Sequence, residues 1–165
     1  MNYSYAEAGV KRKETVGTYA IRVLMIFAAI IALLISTFNT IALIAGTAII
    51  IAIVIFFPRL KVDYEYVFVD GQLDFDKIMG GAKRKTALRI DFEQVTIMAP
   101  MGSHALDAHN NPSYKVKDFS SRNKDVKPYV IVYRKGEDAY KILFEPSKKM
   151  IEAIKSKNPR KVSEY

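Results

Sequence analysis

The chain has no cysteine, which removes disulfide frameworks, thiol nucleophiles and cysteine-based zinc sites at once and suits a cytoplasmic setting. Histidine is nearly as scarce, with His104 and His109 alone. There is no HExxH pair, no phosphate-binding glycine loop, no Ser-His-Asp order and no RNA-binding aromatic motif. The most telling shortage is local. Residues 23–57 carry no charge across thirty-five positions, reading VLMIFAAIIALLISTF, Asn39-Thr40 and IALIAGTAIIIAIVIFF. A half-buried soluble helix needs polar positions every turn, and this run has none.

Split at residues 36–40, the run gives two apolar segments of about 16 to 18 residues, each about 24 to 27 Å long as helix against a hydrocarbon core of about 30 Å. Extending the first back to Tyr19 makes it about 20 residues and brings in Arg22, whose long stem can reach the interface. The expectation is a transmembrane hairpin over 19–57, preferred to a buried soluble hairpin or a re-entrant segment. A signal peptide over 11–36 is disfavoured, because no small-x-small cleavage site follows and a second apolar span comes at once. Lys11, Arg12, Lys13 and Arg22 precede the first span, Arg59 and Lys61 follow the second, and the turn between them is uncharged. The positive-inside rule then puts both termini in the cytoplasm. Small residues recur every fourth position at Ala28, Ala32 and Ser36 and again at Ala42 and Gly46, a spacing that lets two helices pack closely.

Of the net charge of +8, residues 59–165 contribute +6, from 21 Lys and Arg against 15 Asp and Glu. A basic domain held at a bilayer meets an anionic leaflet, where each cation is worth about 1 kcal/mol. The same charge could serve nucleic acid, but no motif supports that partner.

Residues 1–18 are expected as a polar cytoplasmic lead, either a flexible basic segment or an interfacial helix. Beyond Pro58 the period changes to two. Residues 64–69 and 72–78 read as a hairpin about Asp70-Gly71, and 83–90 and 92–98 as third and fourth strands, the last with Phe92, Val95 and Ile97 as core candidates. Residues 99–125 lose all pattern and read as a surface excursion holding at most a short strand at 114–119. Residues 129–134 and 139–144 form a second hairpin. An amphipathic helix follows at 148–157, with Met150, Ile151 and Ile154 on one face, and a frayed tail ends the chain.

Strand hairpins closed by one C-terminal amphipathic helix make an α+β domain that resembles a pleckstrin-homology-like (PH-like) antiparallel β-barrel or bent sheet, which would occupy 58–158, with 159–165 as the tail. With its membrane hairpin, the chain resembles an uncharacterised two-span family of Gram-positive bacteria, a domain of unknown function. YEYVFVDGQLDFDKI (64–78), KRK (83–85), APMGSHALD (99–107), KILFEP (141–146) and NPRKV (158–162) carry that resemblance. It implies a bacterial cell-membrane protein with a PH-like cytoplasmic domain, and brings no activity with it.

Three constellations are candidates for chemistry. Lys83, Arg84, Lys85 and Arg89 follow the Gly80-Gly81 turn and could bind anionic lipid headgroups, with Lys83, Lys85 and Arg89 on one strand face and Arg84 opposite, or could simply be a solvated edge. His104, Asp107 and His109 could ligate a metal, although their spacing matches no strong motif and turn formation explains them as well. Asp70, Asp74 and Asp76 could do acid–base chemistry only in a cleft that shifts their pKa values apart, and Asp74 and Asp76 instead alternate with Leu73 and Phe75 as on a solvated strand face. The expected function is a non-catalytic scaffold or adaptor binding a protein partner, a second copy or anionic lipid, with no cofactor and no nucleic acid. The alternatives are a small subunit of a larger membrane complex assembled through the hairpin, and a metal-dependent enzyme built on 99–125.

Overall fold

A computed structural model describes residues 5–163, in two compact units. One comprises 13–62 and 79–83, the other residues up to 12 with 63–78 and 84 onward.

The first unit is built on α1 (Val16–Ile35) and α2 (Thr40–Phe56), joined by a turn at 36–39. Thr15 caps α1 by accepting from the Thr18 N–H, and Asn39 caps α2 by accepting from the Ala42 N–H at 2.8 Å, which satisfies orphan donors at both starts. At 20 and 17 residues, the latter extended by a 3-10 turn at Pro58–Leu60, both helices are long and apolar enough to cross a membrane. Leu24, Phe27, Leu34, Ile41 and Ile44 lie exposed. The first helix starts three residues before the expected Tyr19, because Thr15 rather than the end of the apolar run fixes its beginning.

The second unit corrects the expected polar lead. Tyr5–Lys11 is neither a flexible segment nor an interfacial helix but strand β1, paired antiparallel with β2 (Val62–Val69) from Tyr5 opposite Val69 to Lys11 opposite Asp63. Ala6, Ala8 and Val10 alternate inward against Glu7, Gly9 and Lys11, and Ala6 is fully buried. The helical hairpin is therefore inserted in the connection between two neighbouring strands. β3 (Gln72–Met79) and β4 (Lys83–Asp91) complete a sheet of order β1-β2-β3-β4. Asp70 and Gly71 both have positive φ, as a two-residue turn matched to strand twist requires.

A second sheet has the order β5-β7-β8-β6, from β5 (Val95–Pro100), β6 (Lys115–Asp118), β7 (Tyr129–Lys135) and β8 (Asp138–Phe144). The two sheets are not closed into the expected barrel, and β6 lies parallel to β8, so the sheet is not purely antiparallel. The expected fourth strand also starts late. Phe92–Gln94 is a 3-10 turn capped by Asp91, and a register shift between Val95 and Ile97 buries Met98 and Ala99, leaving Ile97 half-buried.

The sheets share an aromatic core. Tyr66, Phe75 and Phe144 meet edge-to-face at 5.4–5.6 Å, and Phe119 stacks on Phe75 at 4.8 Å. Burial pushes the Tyr66 phenol pKa up, and its hydroxyl donates to the Phe119 carbonyl at 2.5 Å. Met150 and Ile154 of α3 (Lys148–Lys157) are buried, with Ile151 at the margin. The tail is not frayed over its described part. The Met98 N–H donates to the Lys161 carbonyl at 2.7 Å, the Ser163 N–H donates to the Met98 carbonyl at 2.8 Å, and Val162 is buried. Residues 164 and 165 lie outside the described residues.

Candidate lipid-facing site

The chain leaving α2 meets the turn between β3 and β4. The Gly80 N–H donates to the Lys61 carbonyl at 3.0 Å, and a Cβ at Gly80 would stand 3.2 Å from the Pro58 carbonyl oxygen. With φ at +63°, Gly80 is required both by conformation and by this close approach. The turn that delivers Lys83 is thus fastened to the segment carrying Arg59 and Lys61. In the same unit Arg22 bonds Glu14 at 2.6 Å and lies 5.5 Å from the centre of the Phe57 ring, while Arg59 lies over Phe56 at 5.1 Å. These cations gather where the apolar helices end, each tied to an aromatic or acidic neighbour.

The basic cluster divides. Lys83 and Lys85 are exposed and have no ion partner among the described residues. Arg84 donates to Asp76 at 2.6 Å and reaches Glu65 at 3.2 Å, and Arg89 grips both carboxylate oxygens of Asp74 at 2.6 Å. Those hydrogen bonds raise the pKa of each guanidinium above its ordinary value. Arg84 does not work opposite Arg89 as expected: Asp74 and Asp76 are two apart on β3, so both arginines reach one row of carboxylates. The expected solvated acidic face is corrected as well. Asp76 is only 7% exposed, and its second oxygen, Oδ1, has no hydrogen-bond partner among the described residues. Asp70 at the β2–β3 turn is exposed and pairs with Lys157 of α3.

The 99–125 stretch is more ordered than its composition suggests. His104–His109 forms a 3-10 helix capped by Ser103, and β6 lies where a short strand was expected. His104 Nδ1 and Asp107 Oδ2 are 3.1 Å apart on an exposed face, with His109 at the far end of the turn. Among the described residues no three potential ligands assemble into a metal site. The polar centre that sequence reasoning missed is Asp118. It accepts from Arg12 at 3.1 Å, Arg122 at 2.8 Å and Ser120 at 2.6 Å, and Arg12 also lies over the Tyr64 ring. Burial opposes its ionisation, but the Ser120 and Arg122 bonds together with the Arg12 charge outweigh that and hold its pKa below the usual carboxylate value.

In the hairpin, Ala32 and Gly46 are buried while Ala28, Ser36 and Ala42 are half-buried. A Cβ at Gly46 would lie 2.7 Å from the Ala32 carbonyl oxygen and 3.1 Å from the Ser36 Cβ, so α1 and α2 are in backbone contact there.

The family described as Bacterial PH-like domain (DUF6106) matches residues 2–164. No curated protein and no solved structure matches the chain.

Proposed function

The chain belongs to this bacterial PH-like domain family, and on that fold we propose that it is a non-catalytic membrane scaffold. The helical hairpin anchors it in the cell membrane, and the PH-like domain works at the cytoplasmic leaflet, contacting anionic headgroups and a protein partner. The pairing of Lys11 with Asp63 carries the reading. Two adjacent strands of one sheet cannot form on opposite sides of a bilayer, so an apolar insertion between them must leave and return on the same side. That supports two spans independently of charge, and the basic residues on both flanks favour the cytoplasmic side.

The absence of native cysteine makes topology directly measurable. Thr37→Cys in the α1–α2 turn is expected to react with an impermeant maleimide in intact cells, and Lys124→Cys only after permeabilisation. Labelling of both in intact cells would remove the two-span reading, and the reverse order would keep the two spans but put the PH-like domain outside the cytoplasm.

The headgroup half of the proposal rests on Lys83, Lys85, Arg59 and Lys61, because Arg84 and Arg89 are committed to carboxylates. Lysine is a flexible point charge suited to exchanging lipids, and each one near the surface adds about 1 kcal/mol of attraction. Native mass spectrometry of the full chain released from mixed phosphatidylglycerol–phosphatidylcholine nanodiscs should show phosphatidylglycerol retained preferentially. Lys83→Glu with Lys85→Glu should cut that preference by at least about thirtyfold, the equivalent of about 2 kcal/mol. An unchanged preference would refute the headgroup half and leave the anchor intact.

A further inference from the structure

The domain also carries a groove whose two halves differ in chemistry. One half is a pocket of about 360 Å³ whose apolar wall is Met101, Leu106, Val116, Val130 and Leu143, with one carboxylate, Asp107, beside His104, and one cation, Lys141, also in its lining. Val130 and Leu143 come from the paired central strands β7 and β8, so its floor is rigid. Leu106 is delivered by the 3-10 helix His104–His109, and Val116 by the edge strand β6. The other half, about 550 Å³, shares Met101 and Gly102 with the first and is rimmed by Arg122, Lys124 and Lys127. Its one carboxylate, Glu145, already accepts from the Ser121 N–H at 2.8 Å and its hydroxyl at 2.7 Å. Arg122 is partly neutralised by Asp118, whereas Lys124 and Lys127 are exposed and have no ion partner among the described residues.

This composition is unusual for a plain surface. Met101, Val116 and Val126 are 51%, 63% and 41% exposed, so apolar area lies open next to uncompensated positive charge. A walled pocket sized for one large side chain, beside two lysines, complements a chain that places an apolar residue between acidic ones.

We propose that this groove docks an acidic segment of a partner protein, which buries one Phe, Leu or Ile side chain against Leu106, Val130 and Leu143 and sets carboxylates against Lys124 and Lys127. The proposal rests only on the scaffold half of the function above and needs neither headgroup binding nor the topology to be as read.

The test uses the full chain in phosphatidylcholine nanodiscs and a pool of short fluorescent peptides with a central Phe, Leu or Ile in Asp/Glu-rich flanks, read by anisotropy. Saturable binding is expected, lost when the flanks are changed to Lys or the central residue to Ser. Lys124→Glu with Lys127→Glu should weaken it by at least about tenfold, and added Arg122→Glu further. Val116→Glu, on an already exposed edge, should weaken it without disturbing the core, and Leu106→Glu should do so more strongly. Phosphatidylglycerol retention should be unchanged in all of these variants, which separates this outcome from failure of the headgroup half. Three results would each overturn the proposal. No peptide in the pool saturates the protein, binding survives the charge reversals, or the Lys124/Lys127 variant loses phosphatidylglycerol retention while peptides fail to bind, which would make the groove a membrane face.

Discussion

Replacing residues 13–61 by Asn-Gly is expected to give a water-soluble protein that unfolds cooperatively, whereas deleting residues 1–12 should give one that does not. The register supports the first result. Lys11 pairs with Asp63, so Arg12 and Val62 are the next opposed positions, and a two-residue turn of the kind found at Asp70-Gly71 can join them. The engineered loop removes 49 residues of connection. By the logarithmic dependence of closure entropy on loop length, shortening the loop favours pairing of the two strands rather than opposing it.

The deletion acts through β1. It strips a whole edge from β2, exposes the area that Ala6 covers, and removes Arg12 from Asp118 and from the Tyr64 ring. Losing a hydrogen-bonded charge from a part-buried carboxylate costs about 1–3 kcal/mol, and the missing ladder adds to it, against a total stability of about 5–15 kcal/mol for a domain. The sign of the pH dependence follows from Asp118. Its folded pKa is depressed, so its contribution is full above the unfolded carboxylate value and lost as pH falls through the folded one. The excised protein should therefore lose urea resistance on acidification through that carboxylate range, and Asp118→Asn should flatten part of that loss. Circular dichroism with urea titration measures all of it. A folded, cooperative protein lacking residues 1–12 would show β1 to be dispensable. An excised protein that aggregates would show that the domain depends on its insertion.

The features legible in the sequence were those whose cause is local. An uncharged run, Asp-Gly between aromatic strands, and Pro146-Ser147 before an amphipathic stretch each carry their own reason, and the elements they announce are present. What was illegible depends on a distant partner. β1 is Ala- and Gly-rich with weak strand propensity, and it becomes a strand because the aromatic edge of β2, 51 residues beyond its end, accepts it. The tail Lys161–Ser163 is ordered by Met98 for the same reason. The basic cluster failed in a similar way. Composition displays four cations in seven positions, but only the neighbouring strand reveals that Asp74 and Asp76 claim the two arginines, and only packing reveals that Asp76 is buried. The groove on the other sheet left no local signal at all, since its walls come from the 3-10 helix, three strands and a loop.

Gly46→Leu is expected to destabilise the helical hairpin more than any other single substitution within it. The position has no room: even the Cβ of alanine would sit 2.7 Å from a backbone oxygen of the facing helix, and backbone cannot rotate away as a side-chain tip can. Overpacking of this kind costs about 1–3 kcal/mol, occasionally more. In a bilayer, van der Waals contact between helices is the main attraction to lose, since lipid tails offer no hydrophobic drive toward the native pairing. Gly46→Ala should have an intermediate effect, and Ile44→Leu, on an exposed face, should have none. Titrating the full chain from mild detergent into dodecyl sulfate and following helix separation by a fluorophore pair on α1 and α2 orders the three variants. The same geometry bears on assembly. Ala32 and Gly46 are consumed by contact with each other, so a partner recruited by the hairpin must use its outer faces. If Gly46→Leu abolished co-purification of a partner while leaving the dodecyl sulfate midpoint unchanged, the small residues would face that partner instead, and the hairpin would be an assembly element rather than an anchor packed on itself.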